Sequence, residues 1–428
     1  MNSTTVKEQI KNLSYDTIFS KLYSEENLEE ARSRYLHAIE GFEKFYGKVG
    51  DIRLFSSPGR CEISGNHTDH QHGKVICASV DLDIIAVVEP TDNNCITLKS
   101  EGYDKVDNVD LSVLEVIPGE RERSASLIRG IARAFKDLDK NIGGFRAYTI
   151  SSVPSASGIS SSAAFELLIV SILDSLYNNG DIDPIERARM AQFAENEFFG
   201  KPSGMLDQCG SAIGQIFSLN FFDISSPELE QLDISFEGLG YSIVLSKTGS
   251  NHADLTDEYA SVPNEMRKVA SYFGKSYLAE CDEKEFYNNI KEIRNNCGDR
   301  AVLRAIHFFD ENKRVDRQIK SLKESRINDF MEDVKGSGLS SWTLLQNIYV
   351  ASKPQEQAVS IALAYSQELL TILGGVNRVH GGGFSGTILA IVKKENREIY
   401  MKKMDELFGD GSSYVVRIRP VGACEVLN

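Results

Sequence analysis

Ser57-Pro-Gly-Arg-Cys-Glu-Ile-Ser-Gly-Asn-His-Thr-Asp-His-Gln-His-Gly73 sets one arginine, one aspartate and three histidines behind a proline-glycine turn. Neither a helical nor a strand face needs so many polar groups in so short a run, so a core role does not explain it. Two glycine-rich segments lie far downstream, Pro154–Ala164 and His380–Gly386. The first of these reads Pro-Ser-Ala-Ser-Gly-Ile-Ser-Ser-Ser-Ala-Ala and runs straight into Ser161–Tyr177, a good helix pattern. Small residues let the backbone approach an anion. The first N–H groups of a helix lack internal partners and sit at its positive end, so the pattern suits a phosphate seat. Read alone, the same stretch also fits a serine-rich helix cap and loop. No Gly-x-x-x-x-Gly-Lys-Ser/Thr run occurs, which removes Walker-type ATPases.

Composition narrows the field. A chain of 428 residues leads us to expect about two or three domains. Its 41% apolar content is enough for a sizeable core. Lys and Arg number 47 against 62 Asp and Glu, a net charge of −15, which repels phosphate backbones and argues against nucleic-acid binding. A local basic pocket for ATP stays compatible with that balance. Seven scattered cysteines without a Cys-x-x-Cys pair indicate neither a zinc site nor a disulfide framework. Met1–Tyr15 has no apolar stretch, and the run Leu167–Leu173 is too short for a membrane span. A cytoplasmic protein with no membrane partner is expected.

Hydrophobic spacing predicts helices within 16–46, over Ser124–Leu138, Ser161–Tyr177 and Ile185–Phe199, within 256–332, and over Gln355–Leu373. Strands are predicted from Arg53–Phe55 to a stop at Pro58-Gly59, and over Val80–Val88, Tyr241–Ser246 and Thr387–Val392. The pattern breaks most softly at 225–240, around Ser225-Ser-Pro227. Alternating strands and helices in both halves point to α/β or α+β layers.

In their order and spacing these motifs resemble the GHMP-superfamily sugar kinases, closest to the galactokinases, over residues from about 40 to 392. The first motif in that family reads roughly P-G-R-x-N-x-I-G-E-H-x-D-Y. The second, P-x-x-x-G-L-S-S-S-A, is matched with Ile159 for Leu. Arg378-Val-His-Gly-Gly-Gly-Phe-Ser-Gly-Thr387 is similar to the third, R-M-T-G-G-G-F-G-G-C. Glu195–Gln208 resembles E-x-x-F-x-G-x-P-C-G-x-M-D-Q, with Ser203 for Cys. Ser250–Tyr259 is loosely similar to N-x-x-H-x-L-x-x-S-E-Y, and no arginine follows within Ala260–Glu265.

The resemblance implies an α+β fold of two domains, an N-terminal ribosomal-protein-S5-like domain and a C-terminal ferredoxin-like one. We place them at 47–235 and 236–428, with 1–46 as a helical extension packed on the first. The implied activity is ATP-dependent phosphorylation of the anomeric hydroxyl of a sugar, galactose first and galacturonate second. Carried over residue by residue, Asp207 is the base and Arg60 its neighbour, while Asn66, His67, Asp69, Gly204 and Tyr259 meet the sugar. Ser155, Ser157, Gly158, Ser160, Ser161, Ser162, Gly382 and Gly383 hold the ATP phosphates, and Ser162 with Glu195 holds Mg²⁺. The chemistry agrees: phosphoryl transfer needs an oriented hydroxyl, a proton acceptor and compensation of charge on the γ-oxygens. An arginine beside the aspartate favours its ionised form. Small-molecule sugar and ATP are the expected partners, and the chain is expected to be a monomer or weak homo-oligomer.

Several departures bear on specificity. Asn66 stands where galactokinases have a sugar-binding glutamate, and His380 and Ser385 replace Thr and Gly. His70-Gln71 replaces Tyr-Asn, and Gly65–Gly73 then resembles the G-A-H-I-D-H-Q-G-G of plant galacturonokinases. Ser124 and Leu127 occupy places where the family has aromatics near adenine. Two rival readings come from other classes. A metal-dependent hydrolase would use His67-Thr-Asp-His-Gln-His72 as zinc ligands, but the order differs from H-x-H-x-D-H and both glycine motifs stay unexplained. A sugar-sensing regulator without catalysis is opposed by the intact Ser160-Ser-Ser-Ala163 run with Asp207 and Arg60.

Overall fold

Pro58 breaks no strand. In the computed structural model, which describes residues 1–427 apart from 48–49, 155–157, 202, 250–254 and 385, one strand runs through Arg53–Ser64. Its register against Lys74–Thr91 shifts between Pro58 and Arg60. That irregularity absorbs a residue that has no N–H to donate to the ladder. Gly59 is needed there because any side chain would collide with Ile159 of the central loop. The partner strand begins at Lys74, earlier than the Val80 expected from alternation, because its first half is also buried.

The strands, in spatial order, are Cys424–Glu425, Arg53–Ser64, Lys74–Thr91, Gly144–Ser151, Cys95–Ser100 and Val106–Asp110, with Ile216–Asn220 and Glu228–Leu232 continuing from the first part of Lys74–Thr91. Only the Cys95–Ser100 and Gly144–Ser151 pair is parallel among the described residues. Side chains alternate between the faces. Leu54, Ile85, Val87 and Tyr148 point one way, onto Phe19, Tyr35, Ile39 and Phe42 of the N-terminal helices Asp16–Tyr23 and Leu28–Tyr46. Phe55, Ala86 and Val88 point the other way, into a core shared with Ser124–Asp137, Ser161–Tyr177 and Pro184–Phe193. Ser161–Tyr177 has the bounds read from sequence. The expected helix over Ile185–Phe199 instead changes at Ala194 into a π-helical turn closed by Gly200 at φ 93°.

A second sheet orders Ser413–Val416, Tyr241–Lys247, Thr387–Lys393 and Gly375–His380, all antiparallel. Ala358–Leu373 and Arg397–Phe408 share an apolar core with it. The helices Thr256–Tyr272 and Asp299–Lys323 form a further core of their own. The architecture is therefore α+β with one sheet in each half, and the chain passes between them after Glu228–Leu232. The expected unit 236–428 does not keep its own end, since Phe55 pairs with Glu425 in the first sheet. Arg419 explains the return: it donates to Ser56 Oγ (2.7 Å) and approaches Asp83 (3.4 Å). Asp83 also accepts from Arg34 (2.8 Å) and Tyr23 (2.5 Å), so one buried carboxylate joins the N-terminal helices, the sheet and the C-terminal segment. No helix among the described residues is long and apolar enough to cross a membrane.

Candidate functional site

Arg60 leaves the irregular part of its strand beneath the glycine-serine loop. Its backbone N–H donates to Ile159 O (2.9 Å), and Nη1 donates to Gly158 O. Nε and Nη2 both reach Asp207 Oδ1, at 2.7 and 2.6 Å. Asp207 stands in the first turn of Leu206–Ile213, and Gly210 of that helix lets it approach the Arg60 stem. Burial alone would raise the Asp207 carboxyl, but Arg60 and Lys201 outweigh it and hold the group below the usual aspartate range. Gly158 has φ 71°, and Ser160 caps the Ser161–Tyr177 helix with φ 60°, which places Ser161 and Ser162 in its first turn. Ser155 and Ser157 lie outside the described residues, as do Ser385 and 250–254.

On the other side of Asp207 is the motif-one loop. Asp69 opens a short turn, Asp69–Gln71, and packs so closely on Gly204 that a Cβ there would overlap its carboxylate. Burial raises the Asp69 carboxyl to about 6, with help from Asp207 and Glu62 and against the N–H groups of His70 and Leu206. His67 Nε2 lies 3.0 Å from Gly382 O, and since a carbonyl only accepts, Nε2 carries the hydrogen. That leaves Nδ1, 3.4 Å from His70 Nε2. Tyr259 donates to Gly383 O (3.1 Å), and its ring covers Gly382, where a Cβ would meet it at 2.6 Å.

The third motif is held by its carbonyls. Gly381 O accepts from Asn66 (2.8 Å), and Gly382 O from His67 and also from Asn347 (3.1 Å). In a trans peptide the N–H opposes the C=O. The amides of Gly382 and Gly383 are therefore turned away from these partners, a pair of donors on one side of the loop.

Asn66 does not fit its expected place against the sugar. It is 0% exposed, its amide nitrogen serves Glu62 Oε1 and Gly381 O at 2.8 Å, and its oxygen accepts from Asn347 (2.9 Å) and Ser341 (3.2 Å). No hydrogen-bonding position is left for a sugar hydroxyl. Glu62, at the place of the family's asparagine, completes the exchange: its carboxylate pairs with buried Arg378 at 2.8 Å. Ser124 and Leu127 offer little to a base, since Ser124 is bonded to Asp107 (2.6 Å) and Leu127 is buried.

Glu195 enters the site from the π-helical turn. Oε1 lies 3.5 Å from Ser162 Oγ and 2.8 Å from Lys201 Nζ, while Oε2 accepts from Ser203 (2.5 Å) and Gln208 (2.9 Å). The Ser162–Glu195 pair offers two hard oxygens to Mg²⁺, a donor type that fits this ion. Lys201, its side chain 56% exposed, holds the corner. Glu166, one turn below Ser162, was not singled out in the sequence. Gln208 bridges it (3.0 Å) to Glu195, and burial, then Glu195, raises its carboxyl well above the usual range. A glutamate at a buried position of a strongly apolar helix was the available signal.

The back of the motif-one loop is held by residues equally invisible to motif reading. On Asp299–Lys323, His307 bonds Asn66 O (2.9 Å), Glu311 accepts from Gly65 N–H (3.1 Å) and Asn312 accepts from Lys74 N–H (2.7 Å). Polar residues at core-facing helical positions beside Ala305 and Phe308 were the only hint. Of the three motif-one histidines, His67 and His70 meet at 3.4 Å, but His72 turns away to stack on Tyr277 at 3.7 Å, so the three do not share one centre.

Comparison with known proteins covers the same regions. The family of GHMP kinases N terminal domain matches residues 126–215, and the galactokinase galactose-binding signature matches 40–90. The chain is 28% identical to a galactokinase of Clostridium tetani, covering 85% of this chain and 89% of that one. Identity is 29% to a galactokinase of Lactobacillus helveticus, covering 84% and 91%. Among solved structures, Lactococcus lactis galactokinase complexed with galactose aligns with a TM-score of 0.78 at 25% identity, covering 90% of this chain and 97% of that one. Methanococcus jannaschii mevalonate kinase shares the fold, with a TM-score of 0.60 at 16% identity over 86% of this chain and 99% of that one.

Proposed function

The chain belongs to the GHMP kinases, and we propose that it transfers the γ-phosphoryl group of ATP to the anomeric hydroxyl of galactose. The observation that carries this reading is Arg60, which ties the glycine-serine loop to Asp207 through Gly158, Ile159 and the carboxylate. One rigid side chain thus fixes the spacing between a phosphate seat and a proton acceptor, the geometry an in-line transfer needs.

Asp207, kept ionised by Arg60, orients the hydroxyl and takes its proton as the bond to phosphorus forms. Asp69 accepts hydrogen bonds from neighbouring sugar hydroxyls, with His67, Gly204 and Tyr259 as walls, of which His67 and Tyr259 also fix the glycine loop. The first turn of Ser161–Tyr177 and the amides of Gly382 and Gly383 receive the phosphate oxygens. Ser162 and Glu195 would hold Mg²⁺, which when bound neutralises charge on the β- and γ-oxygens. We place the protein in the cytoplasm as a monomer or weak homo-oligomer.

Galacturonate is the second reading, favoured by one observation: the glutamate of the family motif is replaced at Asn66, and Glu62 is turned onto Arg378. At about 4 Å two like charges cost roughly 4 kcal/mol at an effective dielectric near 20, so removing a carboxylate admits a sugar acid. The test is ADP release with galactose, galacturonate, glucuronate, N-acetylgalactosamine and inositol. Galactose is expected to give the highest kcat/KM. A preference for galacturonate of more than about tenfold would reassign the substrate, roughly 1.4 kcal/mol of discrimination. Sugar binding without ADP release from any of them would indicate a regulator.

A further inference from the structure

Glu166 lies one helical turn after Ser162, on the same side of Ser161–Tyr177, and the residues that follow it, Leu167, Leu168, Ile169 and Val170, are all buried. Its own exposure is 0%. A carboxyl in such surroundings is costly unless hydrogen bonds replace its water. This one makes a single bond: Oε2 accepts from Gln208 Nε2 at 3.0 Å, and Oε1 has no partner among the described residues. An acid kept in the core with half of its oxygens unmet adds little to stability and asks for another reason.

Gln208 supplies it. The amide is fully buried, and its nitrogen gives one hydrogen to Glu166 and the other to Glu195 Oε2 at 2.9 Å. Its own oxygen has no partner among the described residues, so the two carboxylates are what hold the amide in place. Ser203 Oγ also donates to Glu195 Oε2, at 2.5 Å. With two donors on Oε2, the other oxygen of Glu195 is the one left facing Ser162 Oγ at 3.5 Å, with Lys201 Nζ at 2.8 Å. The last torsion of a glutamate is broad when nothing holds it, so the turn of this carboxylate is set from behind. One helix thus carries Ser162 and, one turn below, the group at the far end of the chain that aims Glu195.

We propose that Glu166 is a positioning residue for the magnesium site: acting through Gln208, it fixes the turn of the Glu195 carboxylate so that Oε1 stays directed at Ser162. It touches neither the metal nor a substrate. The proposal rests on the reading of Ser162 and Glu195 as the magnesium oxygens. Groups that hold a ligating carboxylate in this way typically contribute about 10- to 100-fold in metal affinity.

The test is calorimetric binding of ATP to the full chain without sugar, once with Mg²⁺ and once with EDTA. The ratio of the two Kd values reads the contribution of the metal, which a purely structural role would not move. Glu166→Leu removes the acceptor at similar volume and is expected to lower the ratio by about tenfold. Its Kd in EDTA should stay within about twofold of wild type, as for a site uncoupled from the substitution. Glu166→Gln keeps an oxygen for Gln208, and its ratio should also stay within about twofold of wild type. Gln208→Leu breaks the same chain in its middle and should lower the ratio at least as far as Glu166→Leu. Adding Glu166→Leu to it should lower the ratio no further, because the two residues act in series.

An unchanged ratio in Glu166→Leu would overturn the proposal, as would a fall in Glu166→Gln as large as in the leucine variant. Equal rises of Kd with and without the metal would make Glu166 a residue of the core alone and overturn it as well. If Glu166→Leu does not fold, Gln208→Leu reads the same contact, and an unchanged ratio there has the same consequence. A wild-type ratio of one would remove the magnesium reading and the proposal with it. A wild-type ratio above one that the variants share would remove the proposal alone.

Discussion

Asp207→Asn is expected to lower kcat by about 10²- to 10⁴-fold, the usual contribution of a positioned base, with a much smaller change in sugar affinity. The amide oxygen can still accept from Arg60, so the loop stays where it is, but it cannot take a proton. Some stability is lost as well, because Arg60 is buried and loses its anion, although Asp207 is 30% exposed and the pair is partly solvated. The pH profile separates the two aspartates. Asp207 is held below the ordinary aspartate range, so its own ionisation is complete well before neutrality. Asp69 is raised to about 6, and in its proposed role the ionised carboxylate accepts from sugar hydroxyls better than the protonated acid, which has one fewer acceptor position. As pH rises through about 6, kcat/KM for the sugar should therefore climb and then level off. The climb should persist in the residual activity of Asp207→Asn and disappear in Asp69→Asn. A variant at position 207 that keeps near wild-type kcat would show that this carboxylate is not the proton acceptor.

Asp83→Asn should destabilise the fold by about 3–5 kcal/mol, the cost of removing one partner from a buried ion pair. Arg34 and Arg419 converge on this carboxylate with Tyr23 and Ser56, and Asp83 is 0% exposed. Without the charge, two guanidinium groups face each other with no anion between them. Burial would raise the Asp83 carboxyl, but Arg34 and Arg419 reverse this and depress it. A depressed carboxyl stabilises the fold at pH values above its unfolded pKa, and that contribution is lost as pH falls through the folded one. The gap between wild type and variant should thus be full at neutral pH and close only in acid. Chemical denaturation reads the loss, and limited proteolysis should release the N-terminal helices of 3–46 first. Because Arg34, Arg419, Tyr23 and Ser56 are not among the residues assigned to the substrates, the KM values of the folded variant should change little. A loss under about 1 kcal/mol would mean that this carboxylate does not join the three segments.

What could be read from sequence follows from how far apart in the chain the interacting groups lie. The helix Ser161–Tyr177 was legible because its serine start, apolar body and Asn-Asn-Gly end are contiguous. So was the cluster of motifs around Arg60, Asp207 and the glycine loop, since each motif keeps its own local spacing. The strand through Pro58 was not, because its irregular register depends on a partner strand that the proline itself cannot announce. Asn66 was misplaced for a related reason. Its four hydrogen-bonding partners come from Glu62, Gly381, Ser341 and Asn347, and only the first is near in sequence. The helix Asp299–Lys323 carries no motif, yet His307, Glu311 and Asn312 hold the motif-one loop in place. Residues that meet the substrates declare themselves by type and spacing, whereas the residues that hold them are chosen by the fold.

Phosphorus NMR of the product made from ATP, Mg²⁺ and galactose carrying ¹³C at its anomeric carbon tests the proposed chemistry most directly. The expected result is one phosphomonoester whose phosphorus is coupled to the labelled carbon, formed in step with ADP and with loss of the reducing end. A phosphorus signal without that coupling would put the transfer at another hydroxyl. Inorganic phosphate released independently of sugar would contradict a kinase altogether.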